Sequence, residues 1–121
     1  MVQEIIDIEK MDLLNQVLNL KNVGYRLAQI CATKLEKFIL LYSFIREDIL
    51  ISLRFTAETT EAVESISWLY SYAFLYENEI KDLFGINILN MNLDFNGHFY
   101  DTMVKTPFNQ NEQESAVNNN G

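Results

Sequence analysis

Phe38-Ile39-Leu40-Leu41-Tyr42-Ser43-Phe44-Ile45-Arg46-Glu47-Asp48-Ile49-Leu50-Ile51-Ser52-Leu53-Arg54-Phe55-Thr56-Ala57 is the stretch that decides the fold. Its second arm alternates: Ile49, Ile51, Leu53 and Phe55 are separated by Leu50, Ser52, Arg54 and Thr56. A period of two is that of a strand with one face turned inward. The first arm is apolar on both sides, with Phe38, Leu40, Tyr42 and Phe44 on one and Ile39, Leu41 and Ile45 on the other. Such a strand is expected to be covered on both faces. The polar Arg46-Glu47-Asp48 between the arms predicts a hairpin.

Working outward, residues 25–33 read as a further strand. Val2, Ile6 and Ile8 fall at even positions and predict a short first strand, its apolar face interrupted by Glu4. Leu13, Leu14, Val17 and Leu18 recur at helical spacing, which predicts a helix over residues 11–22 ended near Gly24. Beyond the hairpin, Glu58-Thr59-Thr60-Glu61 reads as a helix start, with a Thr cap and carboxylates near the positive end of the dipole. Helix is expected through about residue 70 and again up to Phe84, where Gly85 stops it. The order β-α-β-β-β-α-α predicts an α+β domain over residues 1–86, a small, mostly antiparallel sheet packed with helices. Residues 87–108 read as an extended arm. Residues 109–121 hold only Ala116 and Val117 as apolar groups, too few to offset ordering, and read as a disordered polar tail.

A chain of 121 residues, 49% of them hydrophobic, suits one domain with a true core. Nine basic residues stand against 17 acidic ones, for a net charge of −8, and most of the excess acid lies after residue 50. This balance argues against nucleic acid and against an anionic membrane surface as partners. The lone Cys31 excludes an intrachain disulfide. With the lone His98 it cannot furnish the ligand sets of an iron–sulfur cluster or a structural zinc site. Cys31 is expected as a small buried hydrophobe in its strand, and His98, in the loop-like Asn96-Gly97-His98-Phe99-Tyr100, as structural or exposed. No apolar run approaches the roughly 20 residues of a membrane-spanning helix. Met1-Val2-Gln3-Glu4 lacks the basic start of a signal peptide, so a cytoplasmic location without direct membrane insertion is expected.

Two adjoining segments carry the functional reading. Ser67-Trp68-Leu69-Tyr70-Ser71-Tyr72-Ala73-Phe74-Leu75-Tyr76 has only two polar residues and is otherwise apolar around the wheel. A small domain covers one side of such a helix, and the other side calls for a partner, since soluble monomers seldom expose large apolar patches. Folding of both sides into the chain's own core is the alternative. Then comes Tyr76-Glu77-Asn78-Glu79-Ile80-Lys81-Asp82-Leu83-Phe84-Gly85-Ile86, with Glu77 and Lys81 spaced for a helical ion pair. Glu79 and Asp82 are three apart and could share a metal, but the commoner role of such a pair is a charged helix face. No phosphate loop, dinucleotide fingerprint or nucleophile elbow is present.

This second block resembles the signature of the complex I 30-kDa subunit family: aromatic-Glu-x-Glu-hydrophobic-x-Asp-hydrophobic-Phe-Gly-Ile. Glu77, Glu79, Asp82, Phe84, Gly85 and Ile86 stand at its defining positions. The resemblance implies a cofactor-free, non-catalytic accessory subunit. The respiratory members usually continue with Gly-His-Pro and paired arginines, whereas Asn87-Ile88-Leu89-Asn90 follows here and no arginine occurs after Arg54. The ending, from Leu93-Asp94-Phe95 to Lys105-Thr106-Pro107-Phe108, looks like that of short members from membrane-bound, energy-converting [NiFe]-hydrogenases of the Ech type. Those complexes couple ferredoxin oxidation and hydrogen evolution to ion translocation. The implied partners are a large subunit with the [NiFe] centre, a small subunit with [4Fe-4S] clusters and, indirectly, membrane ion-translocating subunits. The chain itself would sit peripherally on the inner face of the cell membrane. On this reading Tyr70, Tyr72, Phe74, Tyr76, Glu77, Glu79, Asp82, Phe84, Gly85 and Ile86 form the partner interface. Its rivals are the equivalent subunit of a complex I-like dehydrogenase (using NADH and quinone, or a reduced deazaflavin), a free-standing protein-binding adaptor, and a small metalloenzyme built on Glu79 and Asp82.

Overall fold

The computed structural model describes residues 1–93. Strand β1 (Val2–Asp7) leads through a 3-10 turn (Lys10–Asp12) into helix α1 (Leu13–Asn22). Three long strands follow, β2 (Arg26–Lys34), β3 (Phe38–Arg46) and β4 (Ile49–Ala57). A short strand β5 (Ala62–Glu64), helix α2 (Ala73–Phe84) and strand β6 (Asn87–Leu89) complete the chain to residue 93. The α+β reading holds.

The four long strands form one sheet in the order β1-β4-β3-β2. β2, β3 and β4 are antiparallel neighbours, while β1 lies parallel to β4. The two-residue loop Glu47-Asp48 closes the predicted hairpin, with Glu47 at a φ of 55°.

Register sorts the side chains into two faces. Phe38, Leu40, Tyr42 and Phe44 lie opposite Ala57, Phe55, Leu53 and Ile51 of β4, and Leu27, Ile30 and Ala32 of β2 share that face. Both helices cover it: Leu13 and Val17 of α1 and Ala73 and Ile80 of α2 are buried in the same cluster. The inner row of β3 is fully buried, as its alternation required.

The other face differs from expectation. Ile39, Leu41, Ile45 and Leu50 are only half-buried, and no helix of the described residues packs there. At its centre the Ser43 and Ser52 hydroxyls satisfy each other at 2.8 Å. Cys31, paired with Leu41 across β2 and β3, therefore lies exposed in its strand and not buried. Alternation told that a second face existed; it could not tell whether this chain supplied the cover.

A second difference concerns residues 59–70, expected as helix. Glu61 does accept the Glu58 N–H at 2.7 Å, as a capping carboxylate would, but no helix follows. Instead β5 pairs in parallel with β6 as a separate two-stranded sheet. Ser65 and Ser67 explain the outcome, because their hydroxyls bond locally and compete with a helical backbone. β6 occupies the first residues assigned to the arm. The remaining arm residues, 94–108, with His98, and the tail 109–121 lie outside the described residues.

Gly85 ends α2 at a φ of 74°, where its N–H closes on the Lys81 carbonyl at 2.9 Å. A Cβ built there meets nothing within 4 Å, so the glycine answers to backbone conformation and not to space. Gly85→Val is expected to lose about 1–3 kcal/mol through left-handed strain alone. Urea unfolding of the two chains checks it.

Candidate partner interface

The segment from Ser65 to Leu93 carries both the apolar run and the signature block, and the two are interlocked. The chain turns between Ile66 and Tyr72, held by the Ile66 carbonyl, which accepts from both the Leu69 and the Tyr70 N–H. Helix begins only at Ala73. The turn divides the run between core and surface: Tyr70 and Ala73 are buried, whereas Trp68, Tyr72 and Leu75 are exposed.

Three tyrosines of the run reach back to the start of β2 and the residue just before it. Tyr70 Oη donates to the Tyr25 carbonyl at 2.6 Å, Tyr72 Oη to Leu27 at 2.8 Å and Tyr76 Oη to Ala28 at 2.9 Å. A bulge between Leu27 and Gln29 supplies the geometry. Successive carbonyls of a regular strand point to opposite sides, and an inserted residue lets both Leu27 and Ala28 be reached from α2. The start of the β2 edge is thereby occupied. Tyr70 is also buried, its ring tilted against Phe44 with centroids 5.6 Å apart.

Glu77 turns inward. Its side chain is fully buried; Oε1 accepts from Ser65 Oγ at 2.7 Å and Oε2 from the Ile66 N–H at 2.8 Å. Ser65 Oγ lies 2.7 Å from Ser67 Oγ, which in turn accepts the Asn92 N–H at 2.8 Å. With Ser65 donating to Glu77, the Ser67 hydroxyl donates to Ser65, and a continuous chain of bonds runs from Asn92 to the carboxylate. Asn78, also buried, donates through Nδ2 to the Phe74 carbonyl at 2.8 Å and to the Leu93 carbonyl at 2.9 Å. These two neighbours of the signature fasten α2 to the turn before it and to the segment after β6.

The rest of the block splits by helical phase. Ile86 is in the core, Phe84 packs against it, and Asp82 and Phe74 are half-buried. Glu79 and Gly85 are exposed. On the outer side Tyr72, Leu75 and Leu83 are 40%, 37% and 59% exposed, and Trp68 is 72% exposed. Trp68 is nonetheless held, its indole Nε1 donating to the Asn90 carbonyl at 2.6 Å. Asn90, at a φ of 65°, is itself anchored by a bond from Nδ2 to Glu64. Of the residues chosen from sequence, Tyr70, Glu77 and Ile86 are therefore internal in this fold, whereas Trp68, Leu75 and Leu83 face outward without having been singled out. The clue lay in spacing: 75, 79 and 83 share one helix face, readable once α2 is known to start at Ala73.

An open cleft of about 830 Å³ lies beside the start of α1, lined by Lys10, Lys37, Glu58 and Glu61 among others. Neither Glu79 nor Asp82 lines it. Both lysines are already engaged, Lys10 with Glu61 at 3.6 Å and Lys37 with Glu58 at 3.2 Å. No group of three His, Cys, Asp or Glu side chains suited to a metal occurs among the described residues.

Burial pushes the Glu77 carboxyl up to about 7, against the opposing pull of the bonds from Ser65 and Ile66. The folded chain thus holds this proton more tightly than an unfolded glutamate near 4.5 does. Its contribution to stability is complete below that lower value and is lost as pH rises through about 7. Stability measured by urea unfolding at about pH 5 and about pH 8 should fall in the native chain by an amount on the order of 3 kcal/mol more than in Glu77→Gln. Nearby, the Tyr42 hydroxyl is buried without a hydrogen-bond partner among the described residues. Burial, with the Glu77 charge adding, drives its phenol far above the ordinary range. Tyr42→Phe removes an unsatisfied group while keeping the ring stacked on Phe55, and should be neutral or stabilising by up to about 1 kcal/mol.

No curated protein matches the chain. A family profile described as respiratory-chain NADH dehydrogenase, 30 Kd subunit, matches residues 6–112, from within β1 through α2 and past the last described residue. A match over most of the length joins the signature block to the whole fold, and the chain belongs to this family.

Proposed function

We propose that the chain is a non-catalytic accessory subunit that docks on the catalytic subunits of a membrane-associated oxidoreductase complex. The observation that carries this reading is the display of Trp68, Tyr72, Leu75 and Leu83 on a scaffold tied down from within. Large apolar groups held in fixed positions lose little entropy on binding, which suits them as interface anchors. Glu79 and Asp82 lie among them and would meet basic groups of the partner. Within the chain, Glu77, Asn78, Gly85 and Ile86 serve the docking surface by shaping it. No helix of the described residues is long and apolar enough to cross a membrane, so attachment to the membrane would run through partner subunits.

The complex we favour is an energy-converting [NiFe]-hydrogenase, whose large and small subunits would carry the [NiFe] centre and the [4Fe-4S] clusters. Support comes from Asn87-Ile88-Leu89-Asn90, whose first three residues form β6, where respiratory members place Gly-His-Pro and paired arginines. The name of the family favours a second reading, the equivalent subunit of a complex I-like dehydrogenase. Nickel separates the two: the hydrogenase purified through this chain holds stoichiometric nickel, and the dehydrogenase holds none.

Docking is tested by Trp68→Ala and Leu83→Ala. Each is expected to weaken retention of the catalytic subunits by about 2 kcal/mol or more; the melting point of the isolated chain is little changed in Leu83→Ala and somewhat lowered in Trp68→Ala, which releases the Asn90 carbonyl. Tyr72→Ala should do the same at some cost to the fold, because it also releases the Leu27 carbonyl. Full retention of the partner by all three variants in a quantitative pull-down would rule out this docking surface.

A further inference from the structure

The two edges of the main sheet are treated differently. At the β2 edge, tyrosine hydroxyls take up the carbonyls of Leu27 and Ala28 at the start of the strand and of Tyr25 just before it. The β1 edge has no counterpart among the described residues.

The bonding of β1 can be followed by parity. Its register with β4 pairs Val2 with Ile49 and Asp7 with Arg54, and at its ends the Val2 N–H donates to Asp48 and the Ile8 N–H to Arg54. In a parallel ladder, alternate residues turn both backbone groups toward the neighbour. Val2, Glu4, Ile6 and Ile8 therefore face β4. Gln3, Ile5 and Asp7 turn theirs away, leaving three N–H and three C=O groups along an open edge.

The side chains beside that edge specify an occupant. Ile5 points to the open face of the sheet, in line with Ser52 and next to the half-buried Leu50, and is 53% exposed. Glu4 points to the opposite face and is exposed. Residues 1–9 hold Glu4, Asp7 and Glu9 and no lysine or arginine. Asp7 is already matched, accepting from Arg54 Nε at 2.7 Å and from Nη2 at 3.1 Å. Glu4 and Glu9 have no ion-pair partner among the described residues. A second copy of this chain would bring the same acidic edge, and the −8 net charge, against itself.

We propose that β1 receives an added strand: an extended segment of a partner subunit in which aliphatic residues alternate with basic ones. Its backbone pairs with Gln3, Ile5 and Asp7. Its aliphatic side chains lie beside Ile5 and extend the open apolar face, and its basic side chains lie beside Glu4. The proposal rests on the subunit reading above and places a second contact on the opposite side of the sheet from β2.

The test uses the full chain, tagged and isolated in its native complex, compared with the chain alone by residue-resolved hydrogen exchange. In the free chain the Glu4 and Ile6 amides exchange slowly and those of Gln3, Ile5 and Asp7 quickly. In the complex the three fast amides become protected. Ile5→Pro removes one outward donor and puts a ring in the path of the incoming strand, while sparing the β1–β4 ladder. It should lower affinity for the partner roughly tenfold or more at little cost in melting point. Gln3→Pro, also at an outward position, serves if Ile5→Pro does not fold. Fast exchange of Gln3, Ile5 and Asp7 within an intact complex overturns the proposal and leaves the subunit reading standing. Full retention of the partner by a folded proline variant has the same force. A native chain that sediments as a homodimer protected at β1 assigns the edge to a second copy and overturns the partner strand. Recovery of the native chain alone, as a monomer, overturns both readings.

Discussion

Burial of the Glu77 carboxylate is the constraint around which the second half of the domain is arranged. A carboxylate removed from water must be compensated by donors, and here they are Ser65 Oγ and the Ile66 N–H. Both belong to the turn that ends β5, so α2 cannot move relative to that turn without leaving the buried carboxyl group short of hydrogen-bond partners. Ser67 passes the constraint on to Asn92, and Asn78 repeats it at Leu93. The position of the chain leaving β6 follows from bonds made by two adjacent helix residues.

The tyrosines act just before α2 and in its first turn, next to Glu77. Tyr70, Tyr72 and Tyr76 each present an apolar ring to the interior or rim and a hydroxyl to the backbone at or just before the start of β2. An aromatic with a polar tip can seal a strand edge in a way that leucine cannot, since the carbonyls still need a donor. This accounts for the density of tyrosine in the run and leaves Trp68 and Leu75, with Leu83 beyond it, as side chains whose apolar surface has no such use among the described residues. A subunit built like this has a firm interior and an apolar exterior on the same segment.

Much of this was legible in the amino-acid sequence and some was not. Alternation across residues 38–57 determined the hairpin and its inner row, because a period of two leaves Phe38, Leu40, Tyr42 and Phe44 no choice but a common face. Gly85 marked the end of α2, and the signature block marked the family. The lost helix at 59–70 shows the opposite case. Its caps and charges were those of a helix start, but Ser65 and Ser67 were needed by Glu77, a residue more than a turn of chain away whose burial no local pattern announces.

What the sequence determined by itself, then, is what short-range periodicity and single-residue stereochemistry can determine: the long strands, both helices in outline, the helix stop and the family. What only the tertiary structure decided is direction. Whether Glu77 looks in or out, whether a tyrosine caps an edge or meets a partner, and whether the second face of β3 finds a cover all depend on contacts between segments far apart in the chain. Tyr76 and Ala28, or Asn92 and Ser67, become neighbours only after the sheet has formed and the turn has placed α2 across it. The amphipathic pattern is the same before and after; the partner that each face meets is a property of the assembled fold.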